Sequence, residues 1–172
     1  CRMTAWGAAA VREAIAEVCG AECGIKWVND LYIDNHKVCG ILTEADTALE
    51  TGEVRSVILG IGINTARRSF PPELRSVATS LEEVSGLRVS RGRLMAEVLN
   101  ELESALLLMD TGAFLEESRR RSVLLGRVVT VQENGEEYTA LALYIDKKGH
   151  LTVRLPDGQY HTLHSGEVSV HL

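Results

Sequence analysis

The sequence predicts an α+β fold, a mixed sheet with packed helices followed by a small β-barrel. Three observations carry this prediction. Apolar residues recur at helical spacing in the first twenty residues and again between 90 and 121. Between these segments lie short apolar runs bounded by turn residues, which read as strands. After Gly126 the pattern changes to period two, with a turn signal between successive runs. The chain divides accordingly into residues 1–125 and 126–172.

Val11, Ala14, Ile15 and Val18 share one helical face within residues 5–19, and Gly20 stands at the C-terminal stop. Ile25 to Val28 reads as a short strand. Leu31 to Ile33 and Val38 to Glu44 read as a hairpin around a tight Asp34-Asn35-His36 turn. Ala45 to Glu53 is polar and loop-like. Val54 to Ile63 is almost continuously apolar, which predicts a central strand buried on both faces. Periodicity vanishes from Thr65 to Ser80, where Arg67, Arg68, Phe70, Pro71 and Pro72 mark a long loop. A helical turn at Leu81–Val84 ends at Ser85-Gly86. Ser90 can cap a long helix whose face carries Leu94, Val98, Leu102, Leu106 and Met109. Thr111-Gly112 breaks it, and a second helix runs from Ala113 to Arg121, its three terminal arginines reading as a solvated end. Strands at 128–132, 138–145, 151–155, 160–163 and 168–172 come next, separated by Asn134-Gly135, Asp146 to Gly149, Asp157-Gly158 and Ser165-Gly166.

Bulk properties exclude several classes. With 172 residues, 45% hydrophobic and 24% charged, the chain has the composition of a soluble globular protein. A net charge of −6 argues against nonspecific nucleic-acid binding, and the barrel segment is itself more acidic than basic. No apolar run approaches a membrane span, and no signal-peptide pattern opens the sequence, so a cytoplasmic location is expected. All four cysteines, Cys1, Cys19, Cys23 and Cys39, fall in the first quarter. A zinc site from Cys19, Cys23, Cys39 and His36 is the metal reading, but buried, reduced thiols fit their placement better. His150, His161, His164 and His171 are spread over different strands and turns, which exposed barrel positions explain better than a metal does.

The residues richest in chemistry are concentrated between 26 and 64. Lys37 opens a strand carrying Val38, Ile41 and Leu42, so its ammonium either reaches solvent along its stem or meets an anion; read alone, solvent is the simpler outcome. Asp30 alone could be a turn cap, Gly40 a bulge residue, and Gly60, Gly62 and Asn64 tight sheet packing with a turn-starting amide. Their order changes this. Lys26-Trp27-Val28-Asn29-Asp30, then Lys37-Val38-Cys39-Gly40-Ile41-Leu42-Thr43-Glu44, then Gly60-Ile61-Gly62-Ile63-Asn64 resembles the C-terminal part of the biotin protein ligase family. That family shows Lys-Trp-Pro-Asn-Asp, Lys-x-Ala-Gly-Ile-Leu-x-Glu and Gly-x-Gly-Ile-Asn at similar gaps. Phe70 to Leu74 and Ala78 to Leu81 fit as well, and several ordered motifs together are far more specific than one.

Two departures stand out. Val28 replaces the family's proline, loosening a preset backbone angle. The family's Gly-Arg-Gly-Arg-x-Gly-Arg biotin loop belongs upstream, and Arg91-Gly92-Arg93 is a look-alike at the start of a helix. The resemblance therefore predicts a partial ligase, its fold an incomplete class II synthetase-like sheet followed by an SH3-like barrel. Edges left unpaired in such a piece predict a homodimer or poor solubility.

The resemblance implies a two-step reaction with ATP, biotin and Mg2+ and no covalent enzyme nucleophile. Biotin's carboxylate attacks the α-phosphate of ATP, and a lysine of the biotin carboxyl carrier protein of acetyl-CoA carboxylase then attacks the acyl-adenylate. Lys37 falls where the family has its ligand-contacting lysine, between carboxylate and phosphate. Lys26 is a second cation near the nucleotide, and Asn29 and Asp30 would orient Lys26 or a phosphate-bound Mg2+. Gly40, Gly60 and Gly62 would admit the acyl-adenylate, Asn64 would hydrogen-bond the nucleotide, and Thr65 to Ala78 would be a lid. Two other readings stay open: a catalytically incomplete nucleotide-binding or interaction module, and a lipoate- or octanoate-type ligase. DNA-binding regulation, which needs an N-terminal winged helix, is not expected.

Overall fold

Helix α1 (Arg2–Cys19) lies in the centre of the first half, and its composition explains why. Ala5, Ala8, Ala9, Ala10 and Ala14 are all buried, so neighbours approach it from several sides. Gly7 belongs to this close packing: a Cβ there would stand 2.8 Å from Leu59 Cδ2. Gly20, at φ 69°, turns the chain out of the helix. The computed structural model describes residues 2–48, 50–51, 53–67, 70–164 and 166–170. Cys1, Arg68, Ser165, His171 and Leu172, to which the sequence assigns roles, lie outside the described residues.

Against α1 packs a four-stranded antiparallel sheet in the order β1 (Gly24–Lys26), β2 (Asp30–Ile33), β3 (His36–Thr47) and β4 (Val54–Ile63). Asp34 and Asn35, with φ of 47° and 63°, make the two-residue left-handed turn that suits a hairpin's twist. A parallel bridge from Ile25 to Ser122 adds to the β1 edge, and one from Lys37 to Ala78 continues the pairing of β3 beyond the end of β4. The Trp27–Val28 peptide is cis. Leu31, Cys39, Ile41 and Ile61 alternate onto the α1 side and join one core with Val11 and Ile15.

The structure corrects two sequence expectations in this sheet. β3 continues through Ala45, Asp46 and Thr47, because that stretch pairs with β4 as far as Val54 and is not loop. β4 is not a buried central strand: it is an edge strand, and Val54, Val57 and Ile58 are exposed. A continuous apolar run indicates that a strand could be covered on both faces, and in this sheet only the α1 face is covered.

Helices α2 (Leu81–Ser85), α3 (Arg91–Leu106) and α4 (Ala113–Arg120) come next, as expected, with Gly86 and Gly112 left-handed at φ 69° and 71°. Ser90 caps α3 by accepting from the Arg93 amide. Leu94 and Val98 are buried, but Leu106 is 56% exposed and so leaves the predicted apolar face. Of the arginines closing α4, Arg120 and Arg121 are exposed as expected, and Arg119 is not a free solvated charge. Arg119 Nε donates to Ile145 O at 2.6 Å, while Arg120 and Arg121 hold Glu117. No described helix is long and apolar enough to cross a membrane.

The second sheet has the order β8-β7-β6-β5-β9, from β5 (Val128–Glu133), β6 (Glu136–Ile145), β7 (Leu151–Arg154), β8 (Tyr160–Leu163) and β9 (Glu167–Val170). Its antiparallel meander, closed back by β9 on β5, is an SH3-like arrangement. Val129, Val131, Ala142, Leu151, Val153 and Leu163 fill the core, and so do Leu124 and the indole of Trp27 from the other sheet. Trp27 Nε1 donates to Gly149 O at 2.8 Å. Together with Arg119 on Ile145, this fastens the β6–β7 turn to the first half.

Candidate functional site

Register places the chemistry. On the outer face of the first sheet, away from α1, cross-strand partners run in a row from Lys26 to Asp30 to Gly40 to Gly62. A second row runs from Gly24 to Tyr32 to Lys37. Lys37 and Gly40 are three residues apart, so a regular strand would point them to opposite faces. A bulge at Val38 reverses this: Leu31 pairs with Cys39 while Tyr32 pairs with Lys37. Val38 turns into the core, fully buried, and Lys37 comes round to the Asp30 side.

Gly40 makes room for the lysine's end. The Lys37 ammonium lies over it, and a Cβ on Gly40 would stand 3.1 Å from both Lys37 Cε and Nζ. Lys37 Nζ meets Asp30 Oδ1 at 2.7 Å. The approach is off the hydrogen-bonding direction, so this buried oxygen is held by charge and keeps acceptor capacity in reserve. Lys26 Nζ, one strand over, donates to Tyr32 Oη at 3.4 Å.

Two clefts meet at Lys37. One, of about 440 Å³, is lined by Tyr32, Lys37, Gly40, Gly62, Asn64 and the 70–78 loop. The other, of about 290 Å³, is lined by Lys26, Trp27, Asn29, Asp30 and Lys37 together with Gly166, Glu167 and Val168 from the second sheet. A larger groove of about 690 Å³ between β4 and α3 shares Asn64 and Phe70, but among the described residues Arg91 is its only charged lining residue. Size favours that groove; the paired charges favour the two smaller clefts, and chemistry decides for them.

The loop over the site is held by main chain. Lys37 N donates to Val77 O at 2.8 Å, and Thr79 N donates to Lys37 O at 3.0 Å. Asn64 uses its backbone in the same way, donating to Val38 O and accepting from Leu81 N. Thus the lysine's own backbone anchors the segment that lines the cleft with it.

Of the residues singled out in the sequence, Lys26, Asn29, Asp30, Lys37, Gly40, Gly62 and Asn64 are brought together around these clefts. Gly60 is not: it pairs with Leu42 one step farther along the floor and lines neither cleft. Tyr32 and Glu167 were missed. Tyr32 was within reach, because it lies two residues from Asp30 and so on the same strand face. Glu167 carried no signal, since only the docking of the two sheets brings it there.

Covalent chemistry through cysteine is disfavoured. Burial first, and then neighbouring acidic and thiol groups, push Cys23 and Cys39 up to about 12, so neither is a thiolate at neutral pH. Cys19, Cys23 and Cys39 are free and buried, and the described residues contain no group of three or more His, Cys, Asp or Glu that could hold a metal ion. His150 is half-buried against Asp146 and stacks edgewise on His164 at 4.2 Å, and His161 pairs with Glu133 at 2.8 Å.

Comparison with known proteins assigns both halves. Residues 1–64 match the sequence model of the biotin/lipoate A/B protein ligase family, and residues 124–170 match the biotin protein ligase C-terminal domain. The bifunctional ligase/repressor BirA of Bacillus spizizenii is 42% identical over 100 residues, covering 57% of this chain and 30% of that protein. The biotin–[acetyl-CoA-carboxylase] ligase of Mycobacterium tuberculosis is 30% identical over 155 residues, covering 88% of this chain and 54% of its own length. The chain thus spans about half or less of these curated relatives. Among solved structures, biotin protein ligase from Aquifex aeolicus in its apo form superposes with a TM-score of 0.84 at 26% identity, covering 99% of this chain and 74% of that one. The same ligase in complex with biotin and ATP gives 0.82 at 25% identity, covering 99% and 71%.

Proposed function

This chain belongs to the biotin protein ligase family, and we propose that it carries the part of such a ligase that activates biotin with ATP and passes it to a carrier protein. The observation that carries this reading is the Lys37–Asp30 pair lying on a glycine floor between two clefts. The match of residues 124–170 to a domain named for biotin ligases favours biotin over lipoate or octanoate.

The acid would lie along the floor formed by Gly40 and Gly62, its carboxylate toward Lys37, with the triphosphate in the cleft lined by Lys26, Asn29 and Asp30. A carboxylate and a phosphate brought to 4 Å repel by about 4 kcal/mol at an effective dielectric near 20. An ammonium between them offsets most of that, which is why a lysine and not a nucleophile is needed at this point. The carboxylate oxygen bonds to the α-phosphorus as the bond to the β-phosphate bridging oxygen breaks, and pyrophosphate leaves. In the second step a neutral lysine amine of the carrier adds to the activated carbonyl, AMP leaves and the amine proton is lost. The 70–79 segment, pinned to the Lys37 backbone, would shield the mixed anhydride from water.

The donor set also fits Mg2+. Asp30 Oδ1 is buried with acceptor capacity unused, and Asn29 and Glu167 offer oxygens in the same cleft. Bound there with the phosphates, the ion would neutralise charge on the departing pyrophosphate. Asp30 and Asn29 would hold it, with Asp30 also orienting Lys37. The cellular partners that go with this reading are the biotin carboxyl carrier protein of acetyl-CoA carboxylase, in the cytoplasm, and a second copy of the chain through the β4 edge.

The test is biotin-dependent release of pyrophosphate from ATP by the full chain. Lys37→Ala is expected to lower the rate about 100- to 1000-fold, the usual cost of removing one preorganised charge donor, with the fold retained at reduced thermal stability because the buried Asp30 carboxylate loses its charge partner. A Lys37→Ala variant that keeps the parental rate would overturn the assignment.

A further inference from the structure

The two lysines of the site are held by opposite kinds of partner. Lys37 faces a carboxylate at 2.7 Å. Lys26 makes no ion pair among the described residues; its ammonium donates to Tyr32 Oη at 3.4 Å and lies 5.3 Å from the centroid of the Tyr32 ring. Taken together the two distances place the ammonium beyond the hydroxyl end of the ring, so the phenol oxygen, and not the ring face, carries the hold. Tyr32 is fixed for this by its place on the hairpin, in register with Gly24 on one side and Lys37 on the other.

The difference has a chemical consequence. A carboxylate partner offsets the charge it orients. A phenol does not, because its hydroxyl accepts as a neutral oxygen. Burial first, and then the charges of Asp30 and Glu167 working against that of Lys37, raise the Tyr32 pKa, so the hydroxyl stays protonated at neutral pH. Lys26, Asp30 and Glu167 line the same cleft, and Asp30 is ion-paired with Lys37.

We propose that Tyr32 is a positioning residue that aims the Lys26 ammonium into the 290 Å³ cleft while leaving its positive charge undiminished for a polyphosphate chain. The proposal deepens the nucleotide reading above and rests on it. It assigns the two cations different tasks: Lys37, braced by Asp30, serves the reacting carboxylate and α-phosphate, and Lys26, braced by Tyr32, serves the leaving pyrophosphate.

The sequence contains four lysines, Lys26, Lys37, Lys147 and Lys148, so each can be followed individually. Reductive 13C-dimethylation of the full chain preserves their charge and yields one methyl signal per lysine, assigned with single Lys→Arg variants. The Lys26 signal should stand apart from those of Lys147 and Lys148 in the parental protein and should move to their position in Tyr32→Phe, which removes the hydroxyl and keeps the ring. Inorganic tripolyphosphate should shift Lys26 with a half-saturating concentration about three- to fivefold higher in Tyr32→Phe, the scale of one hydrogen bond. A Lys26 signal that is the same in the parental and Tyr32→Phe proteins, or equal tripolyphosphate midpoints in the two, overturns the brace alone. A distinct Lys26 signal with no lysine answering tripolyphosphate overturns the nucleotide reading, and the brace loses its purpose with it.

Discussion

At the scale of single residues, the decisive position is one with no side chain. Gly40 in a strand reads from sequence as a bulge or a close backbone approach, and the structure gives a third role: it vacates the volume that the Lys37 ammonium occupies. Sequence spacing argued against this, since positions 37 and 40 have opposite parity on a regular strand. The pairing shift at Val38 restores them to one face, and nothing in Lys-Val-Cys-Gly announces that shift. Lys26, Asp30 and Tyr32 needed no such correction, because they follow simple alternation along β1 and β2. The 3.1 Å clearance makes Gly40→Ala informative. The new methyl meets the flexible end of a lysine, so the melting temperature should stay within a few degrees of the parental value. The ammonium must move by a few tenths of an ångström, and since a 1 Å misplacement costs about 100-fold, pyrophosphate release should fall by about tenfold. If the rate is retained while the fold is intact, the ammonium does not have to lie over Gly40 during turnover.

At the scale of elements, α1, the β2–β3 hairpin, the α3 cap and all five barrel strands were legible, because each has a local signal: helical spacing, a two-residue turn, a Ser cap or alternation with glycine turns. β4 was not. Its apolar run has the composition of a central strand, but position within a sheet is set by what lies beside it, and no local pattern encodes that. The consequence is physical: Ile58 and Leu42 lie on the outer face at 64% and 61% exposure, next to a backbone edge that no described strand pairs. Such an edge is a template for a further strand, and two copies of the chain supply one to each other. Concentration-dependent self-association is therefore expected by sedimentation velocity. Ile58→Lys, which puts a charge on the outer face beside that edge, should weaken it by tenfold or more at unchanged secondary structure. An Ile58→Lys variant that associates as the parent does would place the contact elsewhere.

Across the whole molecule, the sequence separates two sheets but does not reveal how they are fastened. Trp27 belongs by sequence to the first sheet and by packing to the core of the second, and Arg119, read as a solvated charge, reaches the Ile145 carbonyl. The largest polar fastening within the first half is also tertiary. Arg12, 3% exposed, joins α1 to Glu22 and to Glu117 on α4, and Glu117 in turn receives Arg120 and Arg121. Glu22 is exposed and Glu117 keeps Arg120 and Arg121, so Arg12→Met strands no buried carboxylate and should cost about 1 kcal/mol in denaturant unfolding. The same network fixes a pH dependence. Burial pushes the Glu117 carboxyl up, but hydrogen bonds from Arg120 and Arg121 and the charge of Arg12 outweigh it and hold the group below its usual value. Its contribution is thus complete above the ordinary carboxylate pKa near 4.5 and is lost as pH falls through the depressed folded value. Glu101 works in the opposite sense: burial and the charges of Glu13, Glu97 and Glu17 raise it, so protonating it in mild acid stabilises the fold. Asp146 and Glu82 are depressed like Glu117 and share the acid limb. Stability measured against pH should therefore rise slightly on mild acidification and then fall below about pH 4.5. Glu101→Gln should remove the rise, and Glu117→Gln should flatten part of the fall. An acid limb as steep in Glu117→Gln as in the parent would show that the network is not what acid breaks.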